Sequence, residues 1–304
     1  MGSMLRGIFS VGFGYSMLRV TTPILFAALG AVVSERAGVV NIGLEGIMLI
    51  SGVSGVLFSA WTGSAWLGLL GALLMSILFA LFMGYFHIKL GTDIILAGIA
   101  LNVIASGGTV FVLYVASGDR GISSSLASKV MPTISLPVIS KIPVLGPIVS
   151  GHNVLTYFAL LAVIAVWYFM YKTPVGLRLR AVGESPDSAA SVGISVERMR
   201  FLALGISGLL AGFGGAHLSM GYVSWFSRDM TAGRGFIGFR RGAPDWDCHC
   251  FVVLWFCRCF EQLYAILKHS FRIRADDPLF SYSVWVRHFC PATDGEKSKG
   301  EKTS

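Results

Sequence analysis

Long apolar runs alternate with short polar connections as far as Val223, and this pattern predicts transmembrane helices. A helix needs about 20 apolar residues to cross the hydrocarbon core of a bilayer. The chain has six runs of about that length, Met17–Val33, Ile42–Ala60, Ala65–Phe86, Ile94–Ala116, Leu155–Tyr171 and Phe201–Val223. The expected fold class is therefore all-α, a polytopic integral membrane protein with about six transmembrane helices.

The composition agrees with this class and excludes an ordinary soluble domain. Apolar residues make up 54% of the chain and charged residues only 13%, and the mean hydropathy is +0.71. The net charge of +8 does not indicate nucleic-acid binding, because Lys and Arg lie mostly in the connections. We expect these cations to lie near lipid headgroups. They are equally numerous on the two sides, so the positive-inside rule does not settle the orientation.

Two segments outside the apolar runs have weaker patterns. Residues 1–16 are expected to form an N-terminal interfacial segment that precedes a transmembrane domain over residues 17–238. The connection 118–153 carries four prolines, Pro132, Pro137, Pro143 and Pro147, with alternating apolar residues between them. This pattern predicts extended or interfacial structure, which would serve either as a contact surface for an external partner or as a lid lying on the membrane.

Small residues recur at helical spacing in two of the runs. Gly208, Gly212 and Ala216 fall on one face of the sixth run. The fourth run has a similar set, Gly98, Ser106, Gly107 and Gly108. Small residues let the backbones of neighbouring membrane helices approach closely, so both runs are expected to pack against other helices through these faces.

The entry of the second run combines polar residues with glycines. Asn41 and Glu45 are four residues apart, which is about one helical turn, and Gly38, Gly43 and Gly46 loosen the helix around them. We therefore expect a broken helix near residues 38–46. A carboxylate at membrane depth is costly and indicates a functional site that faces a cavity or a partner. The alternative is structural, with Glu45 capping the helix start or pairing with a buried donor.

The polar connection over residues 172–200 is predicted to contain a short helix. Ser185 suits the N-cap position, Pro186 the first helical position, and Asp187 the positive end of the helix dipole. Ala189 and Ala190 are small helix formers, and Gly193 suits the left-handed residue that closes a helix. A capped helix with a small face could dock into a groove of another protein; the alternative is an ordinary solvated loop.

Three blocks in this order resemble a known family. They are Arg36–Gly46, Gly176–Ile194 and Gly233–Gly238. The first resembles the signature of the permease subunits of bacterial ABC importers for nucleosides and simple sugars, within the superfamily of branched-chain amino acid and ribose permeases. The second resembles the cytoplasmic loop through which those subunits couple to the ATPase, and the third resembles a further block of the same family.

The resemblance implies a function and a set of site residues. The chain would be a permease subunit that moves a nucleoside or simple sugar across the bacterial cytoplasmic membrane by ATP-driven alternating access. The broken second run would line the substrate path, with Asn41, Gly43, Glu45, Gly46 and Asn102 as its residues. The loop 172–200 would face the cytoplasm and couple to the ATPase through Gly183, Glu184, Ser185, Pro186, Asp187, Ala189, Ala190 and Gly193.

The resemblance also implies partners. They are an ABC ATPase subunit, a second permease subunit and an external substrate-binding lipoprotein. The chain has no G-x-x-x-x-G-K-[ST] phosphate-binding loop, so ATP is expected to be used by the separate ATPase subunit. The chain itself is expected to be neither an enzyme nor the carrier of a cofactor or metal.

Two other classes of function remain as alternatives. An ion-coupled secondary transporter of a small polar solute would need intramembrane carboxylates or paired half-helices in both halves, and only Glu45 lies clearly within a run. An intramembrane enzyme would need convergent catalytic groups. His87 and His217 lie in separate runs without an evident partner.

The pattern changes abruptly after Gly238. All five cysteines and half of the acidic residues lie in residues 239–304, where no apolar run is long enough to cross a bilayer. We therefore expect an out-of-frame or disordered tail. A zinc or redox site built from Cys248-His-Cys250 and Cys257-Arg-Cys259 is an alternative that these spacings fit poorly, and a short interfacial tail is another.

Overall fold

The computed structural model describes residues 11–119, 121–123, 125–126, 128–134, 150–227 and 229–231. The chain divides into two compact units, Met1–Gly242 and Ala243–Ser304, and every described residue belongs to the first. The described part is helical, with no strand. Its helices are α1 (Val11–Glu35), α2 (Leu44–Thr62), α3 (Ala65–Ile88), α4 (Ile94–Ser117), α5 (Val154–Lys172), α6 (Pro174–Glu184), α7 (Pro186–Ser191) and α8 (Val196–Met220).

Six of these helices, α1 to α5 and α8, are long and apolar enough to cross a membrane. The all-α fold with six spans is thereby confirmed, and the predicted boundaries differ from the observed ones by a few residues. Residues 11–16 belong to the start of α1, and residues 1–10 lie outside the described part. The tail predicted over residues 239–304 also lies outside it.

α2 lies at the centre of the bundle. Within its most apolar stretch 78% of the residues are buried, compared with 28% in α4 and in α5. α2 packs against α3, α4 and α8, and α8 also packs against α1 and α3. Buried residues of α2, among them Ile47, Met48 and Val56, fill the space between these helices. The polar residues at the start of α2 therefore lie inside the bundle.

The small-residue faces have different surroundings. A methyl group on Gly208 would overlap Ala80 of α3, and one on Gly212 would overlap the Ser76 hydroxyl. The predicted close packing of α8 is therefore confirmed. Gly98 of α4 packs against Ile42, whereas Gly107 has no described atom within 4 Å of the position where a Cβ would lie. For Gly107, and likewise for Gly108, the predicted contact is absent from the described part of the chain.

The two ends of the bundle are held by different contacts. At the end that carries the connection 173–195, Lys89 forms an ion pair with Glu197 at 2.5 Å. At the opposite end, the Asn153 amide donates to the carbonyl oxygens of Met131 and Gly221, at 2.9 and 2.6 Å. The described parts of 118–153 contain no helix and only isolated β-bridges, which agrees with the predicted extended structure. Residues 135–149 lie outside the described part.

Candidate functional site

The chain leaves α1 through a glycine turn before it enters α2. Gly38 has a φ of 75°, and its amide donates to the Glu35 carbonyl at 2.9 Å while the Val39 amide donates to the Ser34 carbonyl at 3.1 Å. These two bonds form a Schellman motif, which ends a helix at a left-handed residue. The segment 36–43 between α1 and α2 is therefore irregular, which locates the expected break.

One prediction about this segment is wrong. Asn41 and Glu45 do not share a helical turn, because Asn41 precedes the helix and α2 begins only at Leu44. The reason is the left-handed turn at Gly38, which separates the segment from α1, together with the late start of α2. The two side chains consequently point to different neighbours.

Asn102 of α4 holds the start of α2. Its Nδ2 donates to the Ile42 carbonyl oxygen at 3.0 Å, and its Oδ1 accepts from the Gly46 amide at 2.8 Å. The N-cap residue of α2 is Gly43, which has no side chain to accept a hydrogen bond. Since the first amides of a helix have no partner within it, Asn102 supplies from another helix the cap that the chain lacks locally.

The glycines at this site are needed for close approach. A methyl group on Gly46 would lie 2.8 Å from Asn102 Oδ1 and 3.0 Å from the Ala105 Cβ. One on Gly43 would lie 2.8 Å from a Leu101 methyl. All three distances are shorter than ordinary van der Waals contact, so side chains here would push α4 away from the entry of α2.

Asn41 connects the irregular segment to α8. It is buried, and its Nδ2 donates to Ser207 Oγ at 3.0 Å. Its Oδ1 is also buried and has no hydrogen-bond partner among the described residues. Buried polar atoms are nearly always hydrogen-bonded. This oxygen can therefore accept a hydrogen bond from a ligand, from a water molecule or, in another conformation, from the protein.

Glu45 faces a different element. Its Oε1 accepts a hydrogen bond from Thr231 Oγ1 at 3.2 Å, and the carboxylate is half-buried. Thr231 comes within reach because the chain turns back along α2 after α8, and Phe226 packs against Gly52 on the way. The block Gly233–Gly238 follows directly but lies outside the described residues.

The structure thus gathers all five predicted path residues at the start of α2. Asn102 and Gly46 touch directly, Gly43 is the cap position, and Asn41 and Glu45 flank it. Sequence reasoning missed Ser207 and Thr231, which hold Asn41 and Glu45. Ser207 carried a weak signal as a hydroxyl next to Gly208 on the packing face, and Thr231 lies just before the third block.

The predicted short helix in the connection 172–200 is confirmed as α7. Ser185 Oγ accepts from the Ser188 amide at 3.4 Å, and Pro186 is the first helical residue. Gly193 has a φ of 85° and closes the helix, its amide donating to the Ala190 carbonyl at 2.9 Å. α6 precedes it directly, with Gly183 and Glu184 as its last residues. The role of these residues in coupling stays a prediction.

α6 and α7 form an open apolar groove. It measures about 430 Å³, and its lining includes Leu177, Ala181, Ala189 and Val192. Leu177 is 61% exposed and Val192 80% exposed, although both are aliphatic and lie on a polar connection. Exposed apolar residues that line a groove are typical of an interaction site.

The two histidines considered for catalysis lie at opposite ends of the bundle. The carbonyl of Thr92 is 2.9 Å from His87 Nδ1, at the end that carries α7. His217 is buried at the other end, 3.3 Å from Thr156 Oγ1 and beside the Tyr222 ring. The two imidazoles therefore do not converge on one reaction centre.

Comparison with known proteins identifies the family. Residues 15–240 match the family described as "Branched-chain amino acid transport system / permease component". The chain belongs to this permease family. No solved structure matches the chain.

Several similar proteins are ABC transporter permeases. The nucleoside ABC transporter permease protein NupC of Lactococcus lactis subsp. cremoris is 37% identical over 231 residues, 73% of this chain and 71% of that protein. The guanosine ABC transporter permease protein NupQ of Bacillus subtilis is 36% identical over 222 residues, 71% and 69%. The putative glucose ABC transporter permease protein TsgC13 of Haloferax volcanii is 34% identical over 233 residues, 75% and 69%.

Family membership confirms the main functional prediction. The chain is an ABC transporter permease and a multi-pass integral protein of the cell membrane, and the ion-coupled alternative is not supported. The family is one of permease components and indicates no enzyme.

Proposed function

We propose that this permease is one membrane subunit of an ATP-driven importer for a nucleoside or a simple sugar. It would assemble with an ATPase subunit, a second permease subunit and an external substrate-binding lipoprotein. The observation that carries the proposal is the apolar groove between α6 and the capped helix α7, where Leu177 of α6 and Val192 at the end of α7 are exposed. The names of the relatives, which include nucleoside, guanosine and glucose permeases, support the substrate class.

The substrate path is proposed to run beside the start of α2. Irregular backbone at membrane depth is tolerated only where it is buried in protein or lines a water-filled cavity. The segment 36–43 is irregular backbone at the entry of a membrane-spanning helix, with Asn41 buried and Glu45 half-buried next to it. The unpaired Oδ1 of Asn41 and the carboxylate of Glu45 are hydrogen-bond acceptors, which suit the hydroxyl groups of a ribose or a hexose.

Transport is proposed to follow alternating access. Closure of the ATPase dimer on ATP would displace α7, and the helices would rock so that the path opens first to one side and then to the other. The chain contributes no catalytic group to ATP hydrolysis in this scheme. It contributes the docking surface and the wall of the path.

Cross-linking tests the docking proposal. In a background with the five native cysteines replaced by serine, Ser191→Cys or Ser188→Cys is expected to allow a short chemical cross-link to the ATPase in intact complexes. Both positions are exposed on α7. Thr62→Cys is the matched control, since Thr62 is exposed at the opposite end of α2. Reaction of the α7 cysteines with bulk reagent alone, in an intact complex, would show that α7 does not dock.

Uptake assays test the substrate class. Proteoliposomes containing the complete complex are expected to accumulate radiolabelled guanosine or glucose in an ATP-dependent manner, and leucine serves as the control for the branched-chain amino acids in the family's description. Accumulation of leucine alone would contradict the proposed substrate class and leave the docking result unaffected.

A further inference from the structure

The two sequence blocks around Arg36–Gly46 and Gly176–Ile194 meet in the structure at a pair of glycines. A Cβ on Gly38 would lie 3.3 Å from the Cα of Gly183. A Cβ on Gly183 would overlap the Arg36 carbonyl oxygen and lie 3.0 Å from the Gly38 amide nitrogen. The end of α6 therefore rests directly on the turn that ends α1, backbone against backbone.

This contact joins two segments with different roles in the proposed function. On one side, Gly183 precedes the α7 N-cap, Ser185, by only two residues. On the other side, Gly38 precedes Asn41 by three residues. The contact between the α6 end that leads into α7 and the turn that leads into the path is therefore made by backbone atoms, with no side chain between them.

Both sides of the contact are stiff. The Schellman motif fixes Gly38 at the end of α1, and Gly183 lies within the last turn of α6, whose own N-terminus is capped by Thr173. Beyond Gly38, Asn41 is held by Ser207, and Asn102 holds the carbonyl oxygen of Ile42. A displacement of α6 is therefore passed to the segment 39–43 and is not absorbed by side-chain rotation.

We propose that the contact of Gly183 with the Arg36–Gly38 turn transmits the movement of α7 to the irregular segment in front of α2. Gly183 and Gly38 are then positioning residues that couple ATP hydrolysis to the opening of the path. The inference rests on the proposed function, because it requires α7 to be the docking element and the start of α2 to border the path.

The test is the amount of guanosine taken up per ATP hydrolysed, measured for the complete complex in proteoliposomes. Gly183→Ala inserts a methyl group against the Arg36 carbonyl and is expected to lower this ratio by about tenfold, while ATP hydrolysis and cross-linking from position 188 persist. Gly205→Ala is the matched control, since within the described part of the chain its methyl group would meet only a Leu81 methyl at 3.7 Å, and it is expected to keep the wild-type ratio.

Gly38→Ala gives a second test with a milder overlap at the contact, because its methyl group would approach the Gly183 Cα at 3.3 Å, and its left-handed φ adds backbone strain within the turn itself. It is expected to lower the ratio less than Gly183→Ala, and it decides the question if Gly183→Ala does not accumulate in the membrane. A wild-type ratio in the accumulating variant, with docking intact, overturns the relay. Absence of the cross-link in the otherwise unchanged complex overturns the docking role of α7 instead, so the two failures are distinguishable.

Discussion

Asn41 and Ser207, which are 166 residues apart in the chain, share a buried hydrogen bond of 3.0 Å between Nδ2 and Oγ. The bond links the irregular segment in front of α2 to the middle of α8. Because Asn41 Oδ1 has no partner among the described residues, this single bond is the polar attachment that the structure shows for the Asn41 side chain. The contacts of the path region can therefore be tested one at a time.

Removing the hydroxyl of Ser207 should leave the Asn41 amide buried without its acceptor. We expect Ser207→Ala to lower the free energy of unfolding by about 1–3 kcal/mol, the usual cost of an unpaired buried polar group, and to reduce uptake. Thermal unfolding in detergent measures the first effect. Ser219→Ala is the matched control, because Ser219 is buried in the same helix and, among the residues that the structure describes, bonds only to its own helix, at the Gly215 carbonyl. Equal losses in the two variants would contradict the special role of Ser207.

Loss of the Asn102 side chain should loosen the start of α2. Asn102→Ala removes the acceptor for the Gly46 amide and the donor to the Ile42 carbonyl, and a lost helix cap costs about 0.5–2 kcal/mol. We expect faster hydrogen exchange of the amides at the start of α2, together with lower uptake. Ser106→Ala on the exposed face of the same helix should leave exchange unchanged. Unaltered exchange in Asn102→Ala would show that another group caps α2.

Glu45 should matter for its charge as well as for its contact. We expect Glu45→Ala to lower uptake by about 10- to 100-fold at normal expression, in proportion to a lost hydrogen bond to a charged group. Glu45→Gln keeps an acceptor for Thr231 but removes the charge. It should also lose uptake, because a carboxylate within a membrane span is costly and indicates a functional role for the charge. Thr231→Val removes only the hydroxyl of the contact and should have a smaller effect. Normal uptake by Glu45→Ala would show that the carboxylate is dispensable, and loss of expression would favour a structural role.

The two alanines of α7 should respond differently to a bulky substitution. Ala190 is exposed and Ala189 is buried, so Ala190→Trp should block docking and uncouple transport from ATP hydrolysis without a loss of stability. Ala189→Trp should also destabilise the chain, by about 1–3 kcal/mol from overpacking. Thermal unfolding and the uptake per ATP separate the two effects. Wild-type coupling in Ala190→Trp would exclude this face of α7 from the interface.

The tail gives a prediction about the gene. If residues 239–304 are translated out of frame, another reading frame of the same DNA should encode two or more Ala- and Leu-rich spans that begin just after Gly238. The family match ends at residue 240, close to that point.

Sequencing the gene and translating its other frames tests the frame-shift prediction. Frames that hold only stop codons and polar sequence would contradict the prediction. Stoichiometric zinc that is lost from a Cys248→Ser, Cys257→Ser variant would favour the metal alternative.

The sequence alone determined the features that depend on neighbouring residues. A membrane span is a matter of length and apolar content, and all six were predicted. The bounds of α7 follow from its caps, Ser185 at one end and Gly193 at the other, because capping acts over a few residues. The small residues around Gly208 and Gly212 likewise predicted close packing, but they did not predict which helix would pack there.

Only the tertiary structure decided which residues meet. The bonds from Asn41 to Ser207, from Glu45 to Thr231 and from Asn102 to the start of α2 join residues 56 to 186 positions apart, and so does the contact of Gly183 with Gly38. The physical reason is that lipid tails are as apolar as the side chains they touch, so hydrophobic pattern does not specify helix partners in a membrane. Close approach at glycines and buried hydrogen bonds select the arrangement, and both depend on groups that the packed bundle brings together.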